Sequence, residues 1–209
     1  MRKWECTVCG YIHKGEEPPD ECPVCSADKS MFVEIFTDTP EVGQNTGAPA
    51  LPESKPSRLA SISALVSELI LKHHLHPITV HTPNGIVPMA TVFLVVAISF
   101  HLPLFATAAL YSLVFVLITM PAVLFTGYTV WQKRYQGALT PLFKIKISAS
   151  VVVVLTLLAL VIWRAVCPEI ITTPSTGRWI YIGVSFVLLA AVGLAGHMGG
   201  KLVFGNRKF

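Results

Sequence analysis

Between Lys72 and Lys133 the chain runs for sixty residues without a formal charge. As a single helix that stretch would reach about 90 Å, roughly three times the hydrocarbon thickness of a bilayer, so it has to turn back. The natural break is His101-Leu102-Pro103, because proline disfavours helix in the residue before it and cannot continue the hydrogen-bond ladder. This predicts one span over about 83–100 and a second over about 104–130. Two further apolar stretches, about 145–166 and 179–203, predict a third and a fourth. Trp131, Trp163 and Trp179 stand at predicted span ends, where indole rings favour the membrane–water boundary. The expected architecture of residues 75–209 is therefore an all-α transmembrane four-helix bundle, with both ends of the chain on one side.

Charge divides the chain in two. Residues 1–53 carry ten acids and four bases, net −6, whereas residues 54–209 carry twelve bases and two acids, net +10. Lys55, Arg58, Lys72, Lys133, Arg134, Lys144, Lys146, Lys201, Arg207 and Lys208 fall on the side of the termini, against Arg164 and Arg178 opposite. By the positive-inside rule the N-terminal head, the loop between spans two and three, and the C-terminus are expected in the cytoplasm, with the chain in the inner (cytoplasmic) membrane. Nothing ahead of the first cysteines resembles a secretory leader, which agrees with that address. The basicity reads as membrane orientation, not nucleic-acid binding.

The head is too short to bury a self-sufficient core, so a staple is needed. Cys6-x-x-Cys9 and Cys22-x-x-Cys25 form two knuckles separated by twelve residues. Each can offer two thiolates to one tetrahedral metal, and a cytoplasmic address argues against disulfides. Four thiolates suit zinc as well as iron. The residues around the knuckles, Trp4-Glu5-Cys6, Cys9-Gly10-Tyr11-Ile12-His13-Lys14-Gly15-Glu16, Cys22-Pro23-x-Cys25 and Phe32-x-Glu34-Ile35, closely resemble the short rubredoxin domain of rubrerythrins over residues 1–36. The resemblance implies a rubredoxin-like metal-knuckle fold holding one iron that shuttles a single electron, with Trp4, Tyr11 and Phe32 packed beside it. Ser26-Ala27-Asp28 departs from that family, which usually places glycine after the last cysteine.

Residues 37–57 are polar and rich in proline and glycine, which reads as a flexible linker spanning roughly 25 Å and leaving the head mobile. Over 58–74 the apolar residues Leu59, Ile62, Leu65, Val66, Leu69 and Ile70 recur at helical spacing, predicting an amphipathic helix. It either lies in the membrane interface or packs on the bundle as an ordinary first helix.

Ionisable residues in or beside a bilayer are functional candidates by default. His73, His74 and His76 read first as interfacial residues and His101 as a helix-end residue. His81 and His197 are expected in the same leaflet on different helices, and two neutral imidazoles facing across a bundle are what a six-coordinate b-type haem needs. The small residues around His197, Gly193, Gly196, Gly199 and Gly200, could admit a flat macrocycle or simply allow close helix packing. His76-Pro77-Ile78-Thr79-Val80-His81-Thr82-Pro83, four spans and a late Gly196-His197-x-Gly199-Gly200 are similar to an uncharacterised bacterial family of four-span membrane proteins with an HPxxVHxP signature. That similarity implies that His76, His81 and His197 act together, with His76 as a reserve ligand. Lys144 and Lys146 open the third span, serving positive-inside anchoring or meeting anionic lipid, a quinone head or an acidic partner. Cys167 stands alone on the opposite side and reads as a structural thiol.

These readings converge on electron transfer. An iron head would exchange single electrons between a cytoplasmic redox protein, or a larger membrane oxidoreductase complex, and haem b or a quinone in the membrane. The chain has no flavin or nicotinamide fingerprint, no Ser-His-Asp logic and no ExxH carboxylate helices, so a subunit fits better than a complete enzyme. The alternative from another class is a cofactor-free scaffold whose structural zinc ribbon docks a cytoplasmic partner.

Overall fold

A computed structural model describes residues 2–35 and 58–204; the expected linker, 37–57, lies outside the described residues. Three short antiparallel strands, β1 (Arg2–Cys6), β2 (Ile12–Gly15) and β3 (Phe32–Ile35), form a sheet in the order β2-β1-β3. Trp4 on the central strand pairs with His13 on one side and Glu34 on the other, and Cys6 pairs with Phe32. A 3-10 turn at Lys29–Met31 leads into β3. Asp28 starts it by accepting the Ser30 backbone N–H at 2.9 Å, and that hydrogen bond holds the exposed carboxyl below its usual range.

Five α-helices follow among the described residues: α1 (Arg58–Lys72), α2 (Leu75–Ser99), α3 (Pro103–Tyr135), α4 (Pro141–Val166) and α5 (Thr176–Phe204). The last four are long and apolar enough to cross a membrane. The α2–α3 break falls where the sequence predicts it: His101 takes a left-handed conformation (φ 53°), the Leu102 amide reaches back to Ala97, and Pro103 opens α3. The start of α2 differs. The helix begins at Leu75, eight residues before the predicted Pro83, and carries Pro83 and Pro88 inside it. Spanning helices tolerate internal proline because neighbouring helices and hydroxyl side chains cover the groups it frees.

α2 packs chiefly on α3 and α4 on α5, and contact between α2 and α5 joins the two hairpins. Hydrophobicity cannot select the inward face here, since lipid is as apolar as leucine; selection comes from packing and the few polar groups. On α4, Val153, Leu157 and Leu160 point inward at helical spacing, while Leu155 and Ile162 point out. Tyr181 of α5 is fully enclosed, donates its hydroxyl to the Leu160 carbonyl at 3.2 Å and meets the edge of Trp163. α1 packs on α2 and α3, buries Ile70 and leaves Leu65, Val66 and Leu69 exposed as an apolar stripe.

Leu157→Ala should open a void in the bundle and cost about 2 kcal/mol, the low end for a buried leucine, whereas Leu155→Ala should be nearly neutral. Thermal unfolding of the detergent-purified variants checks the pair.

Candidate metal centre and its seat on the bundle

Each cysteine knuckle is a tight turn whose backbone faces the sulfurs. In the first, the Gly10 amide donates to the Cys6 carbonyl at 2.8 Å; in the second, the Ser26 amide donates to the Cys22 carbonyl at 2.9 Å. Both turns need a left-handed residue, filled by Gly10 at φ 72° and by Ser26 at φ 57°. Glycine takes that conformation without penalty; serine carries a Cβ into it and pays roughly 1 kcal/mol.

The four Sγ atoms lie within 4.8 Å of one another, with Cys6 to Cys25 at 3.7 Å and Cys9 to Cys22 at 3.6 Å. Those separations exclude disulfides, whose sulfurs sit about 2.05 Å apart. They match the edges of a tetrahedron with metal–sulfur bonds of about 2.3 Å, roughly 3.8 Å. The donor set therefore fits an iron or zinc ion. Hydrogen bonds from Cys25 and Cys9 hold the Cys22 thiol well below its usual range. Trp4, Tyr11 and Phe32 pack against the cysteines, as the rubredoxin resemblance implies.

The head does not stand apart from the membrane body. Cys6, Cys22 and Cys25 are buried, Cys9 is half-exposed, and Val8, Val24 and Phe32 share one core with Tyr135, Leu142, Phe143 and Leu202 of the bundle. The seat is the α3–α4 turn. Gln136 (φ 53°) and Gly137 (φ 68°) reverse the chain there, and the Trp131 indole donates to the Ala138 carbonyl at 2.9 Å. Thr140 is the residue before Pro141 and occupies the N-cap of α4, yet its side chain makes no capping bond. Its hydroxyl instead donates to the Cys25 carbonyl at 2.5 Å, and the Gln136 amide reaches the Thr7 carbonyl at 3.5 Å. The linker expected to leave the head mobile lies outside the described residues, and in the structure the second knuckle is docked on the bundle. Thr140 and Tyr135 escaped the sequence reading, although Thr140-Pro141 is a readable helix start.

The histidines separate. His76 is half-buried, with Nδ1 3.2 Å from Thr126 Oγ1, and Thr126 Oγ1 is 3.1 Å from Thr79 Oγ1. His81 and His197 are both exposed side chains, and no contact joins them among the described residues. A haem held between them needs an open slot between α2 and α5. That seam is closed beside His197: a Cβ on Gly196 would stand 3.1 Å from the side-chain amide of Asn84. The structure does not bring the two imidazoles together as a bis-histidine haem requires, and of the four glycines Gly196 alone is tightly packed, while a Cβ on Gly193 or Gly200 would meet nothing within 4 Å. His73, His74 and Cys167 are exposed, as expected of interfacial and loop residues.

Two outcomes follow. Ser26→Gly should relieve the left-handed serine and stabilise the head by ~0.5–1 kcal/mol, read as slower metal release to a chelator. Thr140→Val should remove the hydroxyl under Cys25 and loosen docking by about 1 kcal/mol, read as roughly fivefold faster hydrogen exchange in the second knuckle and the α3–α4 turn.

Comparison with known proteins agrees with this division. Residues 4–33 match the rubredoxin-like domain of rubrerythrin. The same part is 57% identical over 35 residues to reverse rubrerythrin-1 of Clostridium acetobutylicum, covering 17% of this chain and 19% of that one. It is 47% identical over 30 residues to rubrerythrin of Nitratidesulfovibrio vulgaris, covering 14% and 16%. The chain therefore spans less than a fifth of the length of these curated relatives. No solved structure matches it. Residues 72–207, well over half of the chain, match the predicted membrane protein family DUF2231. With a four-cysteine rubredoxin-like head seated on four apolar helices, the chain is a multi-pass, metal-binding membrane protein that belongs to the DUF2231 family.

Proposed function

We propose that this protein is a membrane-bound electron-transfer subunit, passing single electrons between a soluble redox protein on the head side and an acceptor of the quinone class in the membrane. The observation that carries the reading is the docked four-thiolate site, which has one half-exposed ligand and one ligand seated on the bundle. Iron bound there supplies a one-electron ferric/ferrous couple. The chain's own residues do the rest. Four thiolates hold the metal, the burial of Cys6, Cys22 and Cys25 keeps water from three of them, and Cys9 offers a partly exposed edge to a partner. Thr140 anchors the Cys25 knuckle, and Tyr135 packs at 4.9 Å from Phe143, carrying aromatic contact from the cysteines into α4.

The ten-to-two excess of basic residues on the head side supports an inner-membrane protein with its head in the cytoplasm. Haem has no part in this reading, because His81 and His197 are both exposed side chains that the structure does not bring together.

Oxidised and dithionite-reduced visible spectra of the detergent-purified chain, with metal analysis on the same sample, test the reading. Expected are about one iron per chain and sulfur-to-iron charge-transfer bands that bleach on reduction. Zinc with a featureless spectrum would overturn it and leave a scaffold whose zinc-stapled head docks a soluble partner.

A further inference from the structure

At the end of the bundle away from the head, the α2–α3 turn and the α4–α5 loop enclose a cavity of about 60 Å³. That is room for roughly four to six water-sized spheres, enough for a phosphate group. Ala97 and Ala106 leave the space, buried Ile171 lines it, and His101, Thr172 and Arg178 bring polar groups to it. The loop that forms one wall is held in place. The Ile170 amide donates to the Cys167 carbonyl at 3.1 Å and the Thr173 amide to the Glu169 carbonyl at 2.9 Å, while Ile171 is packed into the bundle core. Ile170 lies against bare backbone at Gly177, where a Cβ would stand 2.8 Å from its Cδ1.

Two opposite charges border this cavity without pairing with each other. The Arg178 guanidinium stacks 5.5 Å from the Trp179 ring, and its Nε is buried with no hydrogen-bond partner. A buried donor left without an acceptor costs about 1–3 kcal/mol, so the group calls for a partner from outside the chain. Glu169 is the sole acid of α2–α5 and their loops, and its carboxylate accepts from the hydroxyl of Thr172 on the cavity wall. Ion pairs among the described residues all lie in the head, so neither Arg178 nor Glu169 is neutralised by the chain.

That pattern selects among ligands. Inorganic phosphate or a carboxylate would satisfy Arg178 but bring a second negative charge toward Glu169. A phosphate ester that carries an ammonium two carbons away satisfies both, one charge to each residue. The surroundings supply the rest. Phe100, Leu102 and Leu104, next to His101 and Pro103 in the chain, are exposed, as is Trp179. Exposed apolar side chains on a spanning bundle meet acyl chains, and an indole at a span end marks the headgroup level.

We propose that this cavity binds the headgroup of phosphatidylethanolamine from the leaflet opposite the head, with Arg178 donating to the phosphate and Glu169 accepting from the ammonium. The acyl chains then run along the apolar surface beside the α2–α3 turn. This site is independent of the metal in the head and of electron transfer.

The test is native mass spectrometry of the full detergent-purified chain, titrated with short-chain phosphatidylethanolamine, phosphatidylcholine and phosphatidylglycerol and with glycerophosphoethanolamine, which has no acyl chains. Phosphatidylethanolamine should saturate one site and bind most tightly, since the choline cation has no N–H for Glu169 and phosphatidylglycerol has no cation. Arg178→Gln should weaken it about tenfold, the loss of one charge-assisted contact. Glu169→Gln, at an exposed position, should erase the preference for phosphatidylethanolamine over phosphatidylglycerol while leaving the latter bound. Arg164→Gln removes a cation from the same end that does not line the cavity, and should bind as the unaltered chain does. Metal content and thermal midpoint serve as the folding check, and the selectivity change in Glu169→Gln carries the test if Arg178→Gln fails to fold. Absence of saturable phosphatidylethanolamine binding overturns the site and leaves a cavity filled by water. Equal affinity for the three lipids, or equal loss in the Arg164 and Arg178 variants, also overturns it, because attraction would then be general. Glycerophosphoethanolamine binding as tightly as the lipid would overturn the membrane source and make the ligand a soluble phosphate ester.

Discussion

Backbone amides in hydrocarbon have no water to pair with, so residues 75–204 must satisfy nearly all of them within helices. That constraint confines the chain's freedom to its turns. Two turns lie at the far end of the bundle, and the α3–α4 turn lies at the head end, where it provides a folded polar surface on which something else can be seated. The Trp131 indole bonded to the Ala138 carbonyl, the left-handed Gln136 and Gly137, and the Thr140 hydroxyl all belong to this short connection. The head meets the membrane body at the place where backbone geometry leaves groups to spare.

The head lives under the opposite shortage. With about 35 residues it has little apolar surface to bury, and its interior is largely the four cysteines and the rings beside them. Metal binding and folding are one event for such a module. Docking adds a second source of order, because Tyr135, Leu142, Phe143 and Leu202 extend the small core with side chains from the bundle. Thr140 shows the exchange at the scale of one group: a hydroxyl placed to cap α4 bonds the carbonyl of a metal-bearing cysteine instead.

Much of this was legible in the chain itself. The charge-free run from 73 to 132 required two spans, the CxxC spacing required a metal knuckle, and His101-Leu102-Pro103 marked a turn. These signals are local, and local geometry decided them. The early start of α2 was missed because Pro83 reads as a boundary in water and is tolerated among neighbouring helices. The His81–His197 pairing failed because placement in one leaflet does not determine where side chains point around a helix: both are exposed, while His76, held in reserve, is the one turned toward Thr126. Docking was illegible, since Gln136, Thr140 and Thr7 are ordinary residues until tertiary structure brings them together. Gly196 and Gly199 were readable as small residues, but the polar groups beside them come from other helices.

α3 carries 33 residues, about 50 Å of helix, against roughly 30 Å of hydrocarbon. Some 20 Å is left to share between the two surfaces, and the head is attached at the end of that excess. The metal site is therefore carried on a stiff post and not on a leash while docked. Its height above the bilayer is set by helix length, and Cys9 presents one fixed direction to the solution. On the proposed electron-transfer reading, a protein arriving from solution must fit both Cys9 and the lipid surface beneath it, which would make the membrane itself part of the rule that decides which partners can approach.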